Sequence, residues 1–188
     1  MEVKKKNWRD VGEALQQLVP DRAIIRPGSI LRCGLIDFCT WEELGKPQTI
    51  INLRMGEDDT RQFEKRASGG LDSAVHPQQD RQYDTNTAEV REWLADAMKL
   101  FEKKDAANIK FPVLIHCHAG KDRTGIVVAT LLKILGVEED VIEREFLLCE
   151  GVDIADLRRT LKGFNDKRTM ELYFRKKVNV NRIKANFA

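Results

Sequence analysis

Two apolar runs stand almost back to back beyond the middle of the chain, parted only by a polar loop. Val113 to His116 has the length of a buried strand. The segment from Thr124 onward, through Ile126 to Leu135, is apolar on nearly all sides, as a buried helix is, and Gly136 is placed to close it. Further strands are predicted at Ile30–Arg32, Thr49–Leu53 and Ser73–His76, the last stopped by Pro77. A short helix is predicted near Thr40–Leu44 and another over Gln62–Ala67, ended by Gly69-Gly70. Thr87 is a suitable helix cap, and Val90, Trp93, Leu94, Ala97, Met98 and Phe101 follow at steps of three and four, which makes one apolar face. Glu138–Cys149 reads as an amphipathic helix. Asp153 caps another, with Ile154, Leu157, Leu161 and Phe164 on one face, and Thr169–Lys177 is a last candidate. Asn7 to Gly12 reads as a polar turn with one aromatic anchor. Strands that alternate with helices, followed by helices alone, predict an α/β fold: a small central, mostly parallel sheet of about four strands flanked by helices, with a helical C-terminal part.

Composition narrows the class. The chain has 188 residues, enough for one well-buried domain, so residues 1–188 are read as a single domain behind a basic tail at residues 1–6. With 42% hydrophobic and 33% charged residues it is an ordinary globular sequence, and a net charge of +2 gives no case for nucleic acid. The four cysteines, Cys33, Cys39, Cys117 and Cys149, are too few for a disulfide scaffold and predict reduced thiols in a cytoplasmic setting. No secretory leader and no run of membrane-spanning length is visible. The Arg- and Lys-rich stretch from Arg158 to Lys184 is read as a solvated helical face, with a docking surface for an anionic lipid or a phosphoprotein as the minority reading.

The chemistry lies in residues 111–125, F-P-V-L-I-H-C-H-A-G-K-D-R-T-G. A strand, a tight loop and a helix N-terminus can turn successive backbone N–H groups inward as an anion nest. Gly120 suits a point of positive φ or close backbone approach. Cys117 stands where those N–H dipoles favour a thiolate, which is the nucleophilic form. Arg123 offers a planar fork that matches two phosphate oxygens. Thr124 is expected to donate to the cysteine sulfur, Lys121 to add a cation at the rim, and His116 to orient the loop. Cys-x5-Arg alone is a weak signal, and a buried structural cysteine beside a surface arginine is the bland alternative. A zinc site at His116-Cys117-His118 is disfavoured, because adjacent side chains diverge and no second ligand pair stands nearby.

The full string His116 to Gly125 resembles the signature of protein tyrosine and dual-specificity phosphatases. Asn7-Trp8-Arg9-Asp10-Val11-Gly12 resembles the N-F-R-D-hydrophobic-G opening of a mostly microbial branch whose loop is A-G-K-D-R-T-G, here Ala119 to Gly125. Ile50 to Arg54 resembles its strand ending in N/D-L-R, and Arg32-Cys33-Gly34 its R-S-G turn. The tryptophan at 8 and the cysteine at 33 depart from that pattern, and the match fades after Gly151. The resemblance implies a phosphatase-like fold and a metal-independent phosphomonoesterase that forms a phosphocysteine on Cys117. It implies Cys117 and Arg123 as catalytic residues, and His118, Ala119, Gly120, Lys121 and Thr124 as substrate-binding ones.

For the proton donor the resemblance leaves three carboxylates open. Asp84, just before the helix that begins near Thr87, resembles the acid placement of dual-specificity phosphatases. Asp84 is the first choice, Asp80 in the same loop is the runner-up, and Asp122, a plausible donor in the A-G-K-D-R-T-G branch, is a third candidate. A helix-end charge is the plain reading of Asp84. No cofactor and no metal is expected. The substrate is expected to be a phosphorylated protein or, as the alternative, a phosphoinositide or inositol phosphate. A monomer is expected, and a non-catalytic phospho-ligand binding module and an arsenate reductase or sulfur-transfer enzyme are the competing readings. His76 is read as a strand-end residue. Arg54 is read either as support for the loop or as a partner of Glu57 or Asp58. Cys33 and Cys39 are read as plain small residues, with a redox partnership to Cys117 as the alternative.

Overall fold

The computed structural model describes residues 6–37, 39–55, 58, 82–102 and 109–188. Among these, four strands form one sheet: β1 Arg9–Asp10, β2 Ile30–Cys33, β3 Thr49–Asn52 and β4 Val113–His116, in the order β1-β2-β4-β3. β4 lies inside the sheet, parallel to both neighbours, with Cys33 opposite His116 on one side and Asn52 opposite His116 on the other. β1 adds an antiparallel edge to β2. The three strands that flank or form the centre therefore end at the same level, and the loop after His116 opens there. That is where parallel sheets place their ligands.

The side-chain alternation of the strands divides the core. Ile30, Ile51, Val113 and Ile115 point into the larger cluster, with α2 Ala88–Lys99, α3 Asp122–Ile134, α4 Glu139–Phe146 and α5 Ile154–Asn165. Leu31, Cys33, Ile50 and Leu114 point the other way, into a smaller cluster with Ile36, Cys39 and Leu44, edged by Trp8 and Trp41. α3 is the hub, touching β4, α2, α4, α5 and the last helix, α7 Val180–Phe187. Its residues Ile126, Val127, Val128, Leu131, Leu132 and Ile134 are all buried. Each such side chain contributes roughly 1.5–3 kcal/mol by leaving water. The apolar pattern from Ile126 to Leu135 thus predicts the most deeply held element.

Several expectations change. Asn7 to Gly12 is no mere turn: Asp10 accepts from the backbone N–H groups of Gly12 and Glu13 at 2.8 and 3.2 Å and starts helix α1, Val11–Leu18. Thr40–Leu44 is a turn, not a helix, since Gly45 and Lys46 both take positive φ there. The last helix candidate, Thr169–Lys177, forms only the short α6 Met170–Tyr173, with Arg175 and Lys176 at positive φ after it, and α7 follows beyond the candidate. Thr87, Asp153 and Gly136 act as the expected caps. The strand at Ser73–His76, the helix at Gln62–Ala67, Asp80 and His76 lie outside the described residues.

One buried polar cluster joins the sheet to α4. Arg32 is fully buried on the face of β2 that looks toward α4, and its Nη1 pairs with Glu145 Oε2 at 2.8 Å. Arg9, from β1, reaches the same carboxylate at 2.7 Å. Both guanidinium groups also donate to Cys149 Sγ, at 3.2 to 3.3 Å. Two cations thus share one buried carboxylate and one sulfur. Removing a partner from such a cluster leaves uncompensated charge away from water. α5 is fixed differently: Thr85 Oγ1 donates to Thr160 O at 2.8 Å, so close that a Cβ on Gly163 would stand 2.0 Å from that hydroxyl.

Two stability measurements follow from these contacts. Glu145→Gln is expected to lower unfolding free energy by about 3–5 kcal/mol, read by urea denaturation. Gly163→Ala is expected to cost about 1–3 kcal/mol through overpacking against Thr85. A change within experimental scatter in either variant would contradict the corresponding contact.

Candidate active site

The loop from Cys117 to Lys121 is organised by where its carbonyls go. His118 O accepts from Leu35 N at 3.0 Å, Ala119 O from Asn7 Nδ2 at 2.9 Å, and Gly120 O from Arg32 Nη2 at 2.9 Å. Three successive carbonyls are thereby held by donors from two stretches of the first 35 residues, Asn7 and Arg32 to Leu35. The backbone N–H groups of His118, Ala119, Gly120 and Lys121 donate to no described group. Polar backbone groups with no internal partner, gathered at a helix N-terminus, form an anion-binding nest. Gly120 makes the curvature possible. Its φ is +69°, and a Cβ there would stand 2.4 Å from the backbone of Cys33 and Gly34. No other residue fits that position without moving β2's end.

Cys117 lies at the base of the loop, 2% exposed, at the junction of β4 and the nest. Arg123, in the first turn of α3, is half-buried, and its Nη1 donates to Leu53 O at 2.7 Å. The end of β3 thus aims the guanidinium across the loop mouth. Thr124 is fully buried with its hydroxyl unpartnered among the described residues, so the expected bond to the cysteine sulfur is not made here. Lys121 Nζ donates to Gly151 O at 2.7 Å, which ties the rim to the turn after α4. His118 is exposed and Ala119 half-buried.

His116 points away from the loop, toward Asp58 Oδ2 at 2.9 Å. Asp58 also lies 3.7 Å from Arg54 Nη2, and Arg54 Nη1 pairs with Asp37 at 2.8 Å. The expected loop-orienting role of His116 is therefore replaced by a link in an Asp37–Arg54–Asp58–His116 chain. Arg54 takes Asp37 as its close partner, which the local sequence did not suggest. Cys33 and Cys39 pack in the smaller cluster and Cys117 in the larger one, and no disulfide joins any of the four cysteines.

The two described carboxylates proposed as proton donors differ in surroundings. Asp122 opens α3 and accepts a short hydrogen bond at Oδ1 from the phenol of Tyr83. Burial, then that hydrogen bond and the Asp122 charge, with smaller effects from Asp156 and Cys117, hold the Tyr83 phenol protonated well above its ordinary range. Tyr83 and Asp122 are thus in direct contact. Asp84 has local duties. Its Oδ1 accepts from Asn86 N at 3.3 Å, and its carbonyl accepts from Thr87 N and Thr87 Oγ1 at 3.1 and 2.9 Å. Its charge is felt by Tyr173, whose phenol donates to Thr85 O at 2.9 Å.

Sequence reading passed over Tyr83 and Glu145, and it offered Asp58 as a partner of Arg54 but not of His116. Glu145 did carry a signal: it falls between Ile142 and Phe146 on the apolar face of an amphipathic helix, where a carboxylate needs a buried cation. Tyr83 carried none, because its partner is distant in sequence and its segment reads as a polar loop.

Comparisons with known proteins agree with this geometry. The model of the tyrosine phosphatase family matches residues 3–184. The triple specificity protein phosphatase PtpB of Mycobacterium tuberculosis is 26% identical, with 75% of this chain and 65% of that protein covered. The chain therefore spans just under two thirds of that relative's length. The crystal structure of P. aeruginosa TpbA superposes with a TM-score of 0.50 at 17% identity, covering 85% of this chain and 86% of that one, a likeness of fold. No described helix is long and apolar enough to cross a membrane. A family match over residues 3–184, almost the whole length, shows that this chain belongs to the tyrosine phosphatase family.

Proposed function

We propose that the chain is a metal-independent phosphomonoesterase that works through a phosphocysteine on Cys117. The observation that carries this reading is the loop after Cys117, in which the carbonyls of His118, Ala119 and Gly120 accept from Leu35, Asn7 and Arg32 while the backbone N–H groups of residues 118–121 donate to no described group. The thiolate attacks phosphorus, and the P–O ester bond breaks with its electron pair going to the leaving oxygen. Arg123 and the N–H groups of His118, Ala119, Gly120 and Lys121 take the spreading charge on the transferred phosphoryl oxygens. Thr124, buried beside the loop with an unused hydroxyl, is available to the sulfur as it leaves in the second step.

Asp122 is the favoured proton donor. It stands in the signature itself, at the start of α3, where the Tyr83 phenol donates to it. Asp84 is the second choice, because its carbonyl and carboxylate serve the start of α2. The printed name of the mycobacterial relative, a triple specificity protein phosphatase, supports phosphorylated protein as the substrate class. The exposed His118 and the cationic rim at Lys121 favour a phosphoinositide or inositol phosphate as the second reading. Residues 1–188 are proposed to act as one catalytic domain, and the absence of disulfides among four cysteines supports a cytoplasmic setting.

Phosphate release from aryl phosphates and phosphopeptides tests the reading. Turnover is expected to persist in EDTA, to be blocked by vanadate and to fall to background in Cys117→Ser. Arg123→Lys is expected to lose about 10³-fold in kcat, because a point charge replaces a planar fork. Asp122→Asn is expected to lose on the order of 10²-fold in kcat/KM, whereas Asp84→Asn, which keeps the same turn, stays within about twofold. Turnover that survives Cys117→Ser, or that EDTA abolishes, would sink the proposal.

A further inference from the structure

Tyr83 lies outside the signature and between it and the C-terminal helices. It is 6% exposed, and its hydroxyl donates to Asp122 Oδ1. Two further contacts come from α5. Its backbone carbonyl accepts from Thr160 Oγ1 at 3.4 Å, and the Arg159 guanidinium lies 6.0 Å from its ring centroid. Thr85, two residues on, donates to Thr160 O, and Gly163 gives the room for that contact. The phenol is therefore held in place by a helix that touches none of the loop carbonyls.

We propose that Tyr83 is the positioning residue of proton transfer, holding the Asp122 carboxyl by Oδ1 so that Oδ2 exchanges the proton with substrate. The inference rests on Asp122 being the donor. In the first step Cys117 sulfur bonds to phosphorus, the P–O ester bond breaks, and the leaving oxygen takes its electron pair and the proton from Asp122 Oδ2. The carboxylate left behind accepts a hydrogen bond from Tyr83, which is stronger than the one its neutral form accepted. That gain exists only as the proton leaves, so it favours the transition state over the ground state. In the second step water attacks phosphorus and gives a proton to the same carboxylate. The P–S bond breaks with its pair returning to Cys117, and inorganic phosphate is released. Tyr83 keeps its own proton throughout.

The consequence is a dependence on the leaving group. An ester whose alcohol leaves easily needs no proton, while a poor leaving group needs one. With the full chain, kcat/KM is measured for phenyl phosphate and for 2,4-dinitrophenyl phosphate in wild type, Tyr83→Phe, Asp122→Asn and the double variant. General acid catalysis is worth about 10²–10⁴-fold, and loss of its positioning partner is expected to remove about tenfold of that. Tyr83→Phe is thus expected to slow phenyl phosphate about tenfold and dinitrophenyl phosphate by less than about twofold, with an unchanged melting temperature. Asp122→Asn is expected to show the same split more strongly, and the double variant to match Asp122→Asn. If Asp122→Asn splits the two esters but Tyr83→Phe slows both alike or neither, the role of Tyr83 is wrong and that of Asp122 stands. A double variant slower than Asp122→Asn also overturns it. If Asp122→Asn itself slows both esters alike, the donor assignment fails and this inference with it.

Discussion

A loop that turns its N–H groups toward an anion must turn its carbonyls the other way, and buried carbonyls need donors. This requirement governs the arrangement around Cys117. The three carbonyls from His118 to Gly120 are met by Leu35 N, by the Asn7 amide and by the Arg32 guanidinium. The donors come from Asn7 and from Arg32 to Leu35, so both of these stretches lie against the loop. Gly120 lets the loop approach Cys33 and Gly34 closely enough for these bonds to form.

Arg32 carries the consequence into the core. A guanidinium with no exposure needs an anion, and Glu145 supplies it from α4. Arg9 shares that carboxylate and so fixes the short edge strand β1 to the same helix. This cluster meets the loop at Gly120, whose carbonyl accepts from Arg32 Nη2. It sets the position of Gly120 O, and through it the curvature of the nest. On the opposite side α5 holds Tyr83 through Thr160 and Arg159, and Tyr83 holds Asp122. The loop is thus supported from the N-terminal segment on one side and from the C-terminal helices on the other, with α3 running between them.

Much of this was legible in the chain. The strand before the loop, the buried helix after it, the caps at Thr87, Asp153 and Gly136, and the identity of Cys117, Gly120 and Arg123 follow from local rules of periodicity, capping and loop chemistry. Elements whose cause is local were read correctly. Where a local pattern and a tertiary demand disagreed, the tertiary demand won. Asn7 to Gly12 reads as a turn, yet Asp10 starts a helix there and Arg9 reaches α4. Thr40–Leu44 has the composition of a helix, yet Gly45 and Lys46 turn the chain back toward β3.

The sequence by itself determined which residues the proposed chemistry uses, because a cysteine, an arginine and a tight glycine turn within one short string depend on spacing along the backbone. Only the tertiary structure decided what supports that chemistry. Tyr83 and Asp122 are 39 residues apart, and Arg32 and Glu145 are 113 apart. Pairs at such separations leave no periodic trace in a single chain. A buried carboxylate among apolar helix positions signals that a cation must come, and folding alone says which one.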